Sequence, residues 1–448
     1  MLKVYTTNMV QGEKITESYT CAPDTSGKNR EMQLVRVFPQ YVFQTLHGFG
    51  GAFTDAAGYV YSLMDEKTQQ EVVRTYFSPD EMGYVFGRTS IDSSDFGTEM
   101  YAADDDPADE KLEHMDFSRG DRYVLPLYRD ASAAAGQPIQ MMLTPRSPPA
   151  YMKDNGSRVH GGKLLDKYAG RWAEYICLSI VHAQQMGMDV RFLTMQNEPL
   201  ASQTWDSCIV TGEEERKFLE SELLPALKRL GLTERVGLLI WDHNKELIMT
   251  RADAVFASPK VLEGAAGIAF HWYTGDHFEN LSMFASRYSG KRLVFSEGCV
   301  EHSVFGSDAE KPGAVHYAHE YIGDLLHGAD TFIEWNLLLD EQGGPNHVGN
   351  FCDAPMMYDR KSGKLYRKLS LDYIGHFSRY MKPGSRRIGT STYAAELETA
   401  AVKNPDGSIA TVILNRTGKA VDFFLQLKDT CYPLHLDEGA ILTAVLEA

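Results

Sequence analysis

The sequence predicts an α/β protein, a (β/α)₈ barrel with a side β-sandwich built from both termini. Three observations predict it. From about residue 41 to 380, short apolar runs alternate with longer amphipathic segments. Eight such runs can be counted, the number a closed barrel needs. Both ends of the chain, residues 1–40 and 381–448, read instead as short extended segments separated by turn residues.

The expected barrel strands are Leu46–Phe53, Val85–Ile91, Ile139–Thr144, Val190–Met195, Val236–Trp241, Ile268–Trp272, Leu293–Ser296 and Thr331–Trp335. Several are apolar nearly throughout, as strands buried on both faces should be. Between them lie helical patterns. The clearest runs from about Leu165 to Met186, with Leu165, Ala169, Trp172, Ile176, Ile180 and Ala183 at three-to-four spacing and Gly187 as a stop. An open doubly wound sheet is the alternative that eight strand–helix units disfavour. After Pro383-Gly384 the pattern gives strands at Leu397–Lys403, Ser408–Leu414 and Val421–Leu427, with Asn404-Pro405-Asp406-Gly407 as a turn. Gln33–Phe38 is a candidate strand near the other end. The expected domains are therefore 1–40 and 381–448 for the sandwich and 41–380 for the barrel.

The chain has 448 residues and a formal charge of −17, from 44 basic against 61 acidic side chains. That balance argues against a nucleic-acid partner and against an anionic membrane surface, both of which attract basic patches. No apolar stretch approaches the ~20 residues needed to span a bilayer. The N-terminus lacks a basic region followed by an apolar run, so the expectation is a cytoplasmic protein. Its six cysteines are scattered and show no C-x-x-C pair, which favours reduced thiols over a disulfide framework or a zinc site. The acidic stretch Asp104-Asp105-Asp106 reads as a solvated loop. Nothing in the sequence fixes the oligomeric state.

In a barrel, chemistry sits where strands end and the following loops begin. Strand four ends in Met195-Gln196-Asn197-Glu198-Pro199 and strand seven in Phe295-Ser296-Glu297-Gly298-Cys299. These two carboxylates are 99 residues apart in sequence, yet both would point into one mouth. Cleaving a glycosidic bond needs such a pair. One carboxyl donates a proton to the leaving oxygen, and the other stabilises or attacks the oxocarbenium-like centre. Other strand ends supply groups suited to a sugar: Arg88, Asp92 and Asp95 after strand two, His271-Trp272-Tyr273 at six, Trp335-Asn336 at eight. Hydroxyls suit carboxylate and guanidinium contacts, and the apolar ring face suits Trp. The bland alternative is that the glutamates cap helices or pair with arginines.

Several residues carry two readings. His271 is a metal ligand or general base in principle, but no second histidine lies at ligand spacing, which favours a hydrogen-bonded structural role. Asp242-His243 after strand five reads as a rim or structural pair. Trp172 lies on a helix's core stripe, whereas Trp205, in the long loop after strand four, is placed to line the cleft.

The chain resembles glycoside hydrolase family 30, the retaining family that includes lysosomal glucosylceramidase. The resemblance rests on His47-Gly48-Phe49-Gly50-Gly51-Ala52-Phe53-Thr54-Asp55, Arg88…Asp95-Phe96, Asn197-Glu198-Pro199, His271-Trp272-Tyr273 and Ser296-Glu297-Gly298-Cys299. It continues through Trp335-Asn336-Leu337-Leu338-Leu339, Gly343-Gly344-Pro345-Asn346 and Ile374-Gly375-His376-Phe377-Ser378. These segments fall in the same order over roughly residues 45 to 390.

The resemblance implies net retention of configuration and no cofactor or metal, with Glu198 as acid/base and Glu297 as nucleophile. It places Arg88, Asp95, Asn197, Trp335 and Asn346 around the sugar, has Tyr273 hydrogen-bond Glu297, and has Asn197 hold the 2-hydroxyl. Glu198 is then expected to have a raised pKa and Glu297 to be ionised. One departure stands out. Where glucosylceramidase-like members carry a Trp after strand three, this chain reads Thr144-Pro145-Arg146-Ser147, which weakens a transfer of glucosylceramide specificity. Arg146 either reads the sugar or turns away to pair with Asp92, Asp95 or Asp154. The expected function is exo-acting hydrolysis of a small glycoside or oligosaccharide, β-glucosides first, with β-xylosides, β-fucosides and β-glucuronides as alternatives. An endo-acting β-glucanase and a non-catalytic carbohydrate-binding barrel are the rivals.

Overall fold

A computed structural model describes residues 1–448 apart from 27–29 and 307–308. The chain forms two compact units: Met1–Phe49, Val304–Thr331 and Arg367–Ala448 make one, and Gly50–Ser303 with Phe332–Tyr366 the other. Among the described residues no helix is long and apolar enough to cross a membrane.

The first unit opens with strands β1 (Leu2–Val10), β2 (Glu13–Cys21) and β3 (Leu34–Thr45). The eight barrel strands follow as β4 (Gly48–Ala52), β5 (Phe86–Ile91), β6 (Gln140–Pro145), β7 (Asp189–Thr194), β8 (Gly237–Asn244), β9 (Ala265–His271), β10 (Arg292–Glu297) and β12 (Thr331–Glu334). A two-residue strand, β11 (Val300–Glu301), lies between the last two and pairs with β14 (Cys352–Asp353). Strands β13 (Leu338–Asp340), β15 (Met356–Asp359) and β16 (Lys364–Arg367) form a small separate sheet. The chain then returns to the first unit as β17 (Arg386–Thr392), β18 (Leu397–Lys403), β19 (Ile409–Asn415), β20 (Val421–Leu427), β21 (Thr430–Leu436) and β22 (Ile441–Leu446).

In the first unit, strands from both termini make one nine-stranded sheet, ordered β2-β1-β22-β19-β18-β17-β3-β20-β21. Its edge strands β2 and β21 also approach each other, so the sheet curls around a core that includes Val4, Val35, Ile388, Ile413, Phe423 and Leu442. The sandwich expected from both termini is therefore present. The N-terminal strand read as Gln33–Phe38 runs further, to Thr45.

In the second unit the barrel closes in the order β10-β12-β4-β5-β6-β7-β8-β9. All eight expected strands are found, with ends shifted by a few residues, as hydrogen-bond boundaries commonly are. The helix expected from Leu165 begins with a tight turn at Asp166–Tyr168 and then runs as α-helix over Ala169–Gln185. Gly50 shows why the first strand is glycine-rich: a Cβ there would lie 2.0 Å from the Phe86 carbonyl oxygen of the neighbouring strand. The acidic stretch read as a solvated loop is only partly so. Asp104 is buried, with Arg171 at 3.4 Å, while Asp105 and Asp106 are exposed. All six cysteines are free thiols.

Candidate active site

The barrel interior is filled by one apolar side chain from most strands: Phe86, Met142, Phe192, Leu239, Ala269, Val294 and Ile333. Because strand side chains alternate, the next inward position lies two residues further toward the C-terminal end. On six strands that position holds Arg88, Thr144, Thr194, His271, Ser296 and Trp335. On β8 strict alternation from Leu239 would bring in Trp241. A register shift between Trp241 and His243, with positive φ at Trp241 and Asp242, turns Asp242 into the barrel instead. The apolar floor thus gives way, within one residue pair per strand, to a polar layer.

Asp242 is the hub of that layer and is completely buried. One carboxylate oxygen accepts from Arg88 at 2.9 Å and Thr194 at 2.8 Å. The other accepts from Ser296 at 2.7 Å and faces His271 Nε2 at 3.1 Å. Burial opposes its charge, but Arg88 and His271 outweigh burial and hold the carboxyl far below the usual range. The Asp242-His243 pair expected at the rim therefore divides: Asp242 lies under the site, and His243 faces the cavity.

Glu297 ends β10 and is 5% exposed. Its Oε2 accepts from Arg88 Nη1 and, at 2.9 Å, from Arg146 Nη2; its Oε1 accepts from the Tyr273 hydroxyl at 3.1 Å. Burial pushes its pKa up, but the positive charges of His271, Arg146 and Arg88 prevail and hold it at about 2. Gly298 behind it leaves room for rings, since a Cβ there would sit 2.5 Å from Phe295 and 2.7 Å from Trp272. Arg146 pairs with none of the three aspartates expected. It lies 2.9 Å from Glu297, 3.4 Å from the Ser90 hydroxyl and 4.5 Å over the Trp335 ring.

Glu198 follows β7 with φ of 45°, its amide held by the Asp242 carbonyl at 3.0 Å. Left-handed backbone also occurs at Asp92 and Asn336, so strain of roughly 1–3 kcal/mol per residue recurs at these strand ends. Glu198 Oε1 lies 3.2 Å from His271 Nδ1. The sequence reading expects a raised pKa here. Burial does raise it, but the hydrogen bond and charge of His271 outweigh burial and hold Glu198 low. His271 in turn is raised to about 9: burial lowers it, while Glu297, Asp242 and Glu198 more than offset that. Both shifts favour placing the proton expected on Glu198 on His271 instead, one hydrogen bond away.

Ligand-capable atoms of Glu198, His271 and Glu297 all lie within 4.8 Å of one another. A metal could be held by such a set. Here both His271 nitrogens already face carboxylates and two guanidiniums lie against Glu297, so the positive charge is supplied by side chains.

Above these groups is a cavity of about 160 Å³. Of the expected residues, Asp95, Arg146, Glu198, Trp205, Tyr273, Glu297 and Trp335 line it. Arg88, Asn197 and His271 lie behind that wall; Asn197 Oδ1 accepts from Arg88 at 2.7 Å, leaving its amide NH₂ to donate. Asn346 acts through Asp95, donating to it at 3.0 Å, while Asn350 reaches the cavity. Burial pushes Asp95 to about 6, partly offset by Arg146. Sequence reasoning did not single out Asn350, Gln203, Asn244 or Glu301, which also face the cavity. Asn350 and Gln203 sit in loops, Glu301 on the two-residue β11, and Asn244 at the end of β8 beyond its register shift, where no periodicity marks them.

Residues 46–381 match the Glycosyl hydrolase family 30 TIM-barrel domain, and residues 384–444 match the Glycosyl hydrolase family 30 beta sandwich domain. The chain is 30% identical to the lysosomal acid glucosylceramidase of Mus musculus, over 90% of this chain and 82% of that one. It is 25% identical to the endo-1,6-beta-D-glucanase neg1 of Aspergillus fumigatus, over 86% of this chain and 81% of that one. The crystal structure of SrfJ from Salmonella typhimurium superposes with a TM-score of 0.93 at 35% identity, covering 100% of both chains. With both domains matched in order, the chain belongs to glycosyl hydrolase family 30 and is a glucosylceramidase-like O-glycosyl hydrolase.

Proposed function

We propose that this enzyme is a retaining, exo-acting β-glycosidase that removes one neutral sugar, a β-glucoside first, from a small glycoside. The observation that carries the reading is the closeness of Glu198 and Glu297, with one carboxylate oxygen of each within 4.8 Å of the other. Retaining enzymes hold their carboxyl groups ~5–5.5 Å apart, whereas inverting enzymes leave ~6.5–9.5 Å for a water. Glu297, kept ionised by Arg88 and Arg146, attacks the anomeric carbon. Glu198 protonates the departing oxygen, drawing on the proton that His271 holds at 3.2 Å. Water then attacks the glycosyl-enzyme, Glu198 takes its proton, and Glu297 leaves as carboxylate. The Asn197 amide, fixed by Arg88, is available to a 2-hydroxyl.

The small cavity supports exo action, since a groove for several rings would be larger. A neutral sugar is favoured over a uronate because the Arg146 charge is already engaged by Glu297, and Asp95, Glu198 and Glu301 add negative charge. The similarity to an endo-1,6-β-glucanase supports a second reading, internal cleavage of a β-1,6-linked chain. A panel of chromogenic β-glycosides, with ¹H NMR of the first product and chromatography of digested β-1,6-glucan, decides between them. A β-configured monosaccharide released first supports exo retention. An α-configured first product contradicts retention, and early internal oligosaccharides contradict exo action.

A further inference from the structure

Beyond Glu297, alternate residues face the cavity. Glu297, Cys299 and Glu301 line it, while Val300 between them is buried in the wall. Glu301 sits on β11, pinned opposite Cys352 of β14. Glu301 thus reaches the same cavity four residues beyond Glu297. Its carboxylate has no hydrogen-bond or ion-pair partner among the described residues.

Two more polar groups facing this cavity lack partners among the described residues. The Gln203 side-chain amide is one, and it comes from the loop that follows Glu198. The second is the His243 ring, which lines the cavity and has no hydrogen bond to either nitrogen. Trp205 of the same loop adds an apolar face. Buried or half-buried polar groups are normally paired, so a set of unpaired ones in a cavity points to a ligand that pairs them. A sugar ring matches the set: several hydroxyl donors for Glu301 and His243, acceptors for Gln203, and a C–H face for Trp205. An alkyl or lipid leaving group would leave the same atoms desolvated and unpaired. The charges of Glu198, Glu297 and Asp95, following burial, raise the Glu301 pKa, which agrees with a position beside the acid/base.

We propose that Glu301, with Gln203, His243 and Trp205, forms the leaving-group subsite and selects a sugar as the aglycone. The proposal rests on the assignment of Glu198 and Glu297 as the catalytic pair. It is tested with Glu301→Gln and Gln203→Ala on two kinds of substrate sharing one glycone, a 4-nitrophenyl β-glucoside and the diglucosides with β-1,6 and β-1,4 linkages. The variants should lower kcat/KM for a diglucoside ~10-fold or more, mainly through KM, and change the aryl glucoside less than ~3-fold. Equal losses on both substrates, or no loss on diglucosides, overturn the subsite. So does a wild type that prefers octyl β-glucoside to every diglucoside. Glu297→Ala run in parallel separates the two claims: near-normal turnover there removes the catalytic pair itself, while an inactive Glu297→Ala beside an indifferent Glu301→Gln removes the subsite alone.

Discussion

Arg146 and Arg88 donate to the same oxygen of Glu297, Arg146 at 2.9 Å. A residue for which the sequence left two readings, a reader of the sugar or a partner of an aspartate, thus has its charge directed at the proposed nucleophile. Arg146→Met should raise the acidic limb of the kcat/KM–pH profile by ~1 unit, because one of the cations holding Glu297 at about 2 is lost. Activity should fall ~10–100-fold, evenly across β-glucoside, β-xyloside, β-fucoside and β-glucuronide. An unmoved acidic limb with reordered substrate preference would restore Arg146 as a reader of the sugar.

In the proposed mechanism the proton shared by His271 and Glu198 sets the basic limb. The carboxylates around His271 raise it to about 9, so kcat/KM should fall as pH rises through that value. His271→Gln keeps a donor but removes the charge, leaving Glu198 alone to hold the proton. The basic limb should then move ~2 units to the acid side. A limb that stays in place assigns it to another group. Glu198→Ala should cost ~10²–10⁴-fold on alkyl glycosides and far less on activated aryl glycosides, which need little protonation. Equal losses would point to a different acid.

Asp55 gives a stability prediction separate from catalysis. Burial raises its pKa to about 7, and the nearest cation, Arg119, is 3.8 Å away. Its Oδ2 has no hydrogen-bond partner. A carboxyl raised in the fold favours the folded state below its unfolded pKa, and that stability is lost as pH rises toward 7. Asp55→Asn should therefore raise the unfolding free energy by roughly 2–4 kcal/mol at pH 8.5 and hardly change it below pH 4. Urea unfolding at the two pH values checks this, and an equal shift at both would show that ionisation is not the cause.

The barrel was legible because several of its strands are buried on both faces and so read as nearly continuous apolar runs, among them Val236–Trp241 and Leu293–Ser296. The carboxylates were legible because Glu297 ends β10 and Glu198 follows the end of β7 by four residues. Asp242 was not, because only the bulge at Trp241 and Asp242 turns it inward, and alternation alone predicts Trp241. The direction of the Glu198 shift was not legible either. It depends on the His271 charge, which is held up by carboxylates from β8 and β10 that sequence order does not bring together. The Arg146 rotamer follows from Glu297 and Trp335, likewise distant in sequence.

The central claim is that Glu297 is the nucleophile, and azide rescue of Glu297→Ala tests it most directly. Turnover should fall by roughly four orders of magnitude or more, since no glycosyl-enzyme can form. Added sodium azide should restore cleavage of an activated aryl β-glucoside and yield the α-glycosyl azide, the anion having entered where the carboxylate stood. Near-normal turnover without azide, or a β-glycosyl azide with it, would contradict the account.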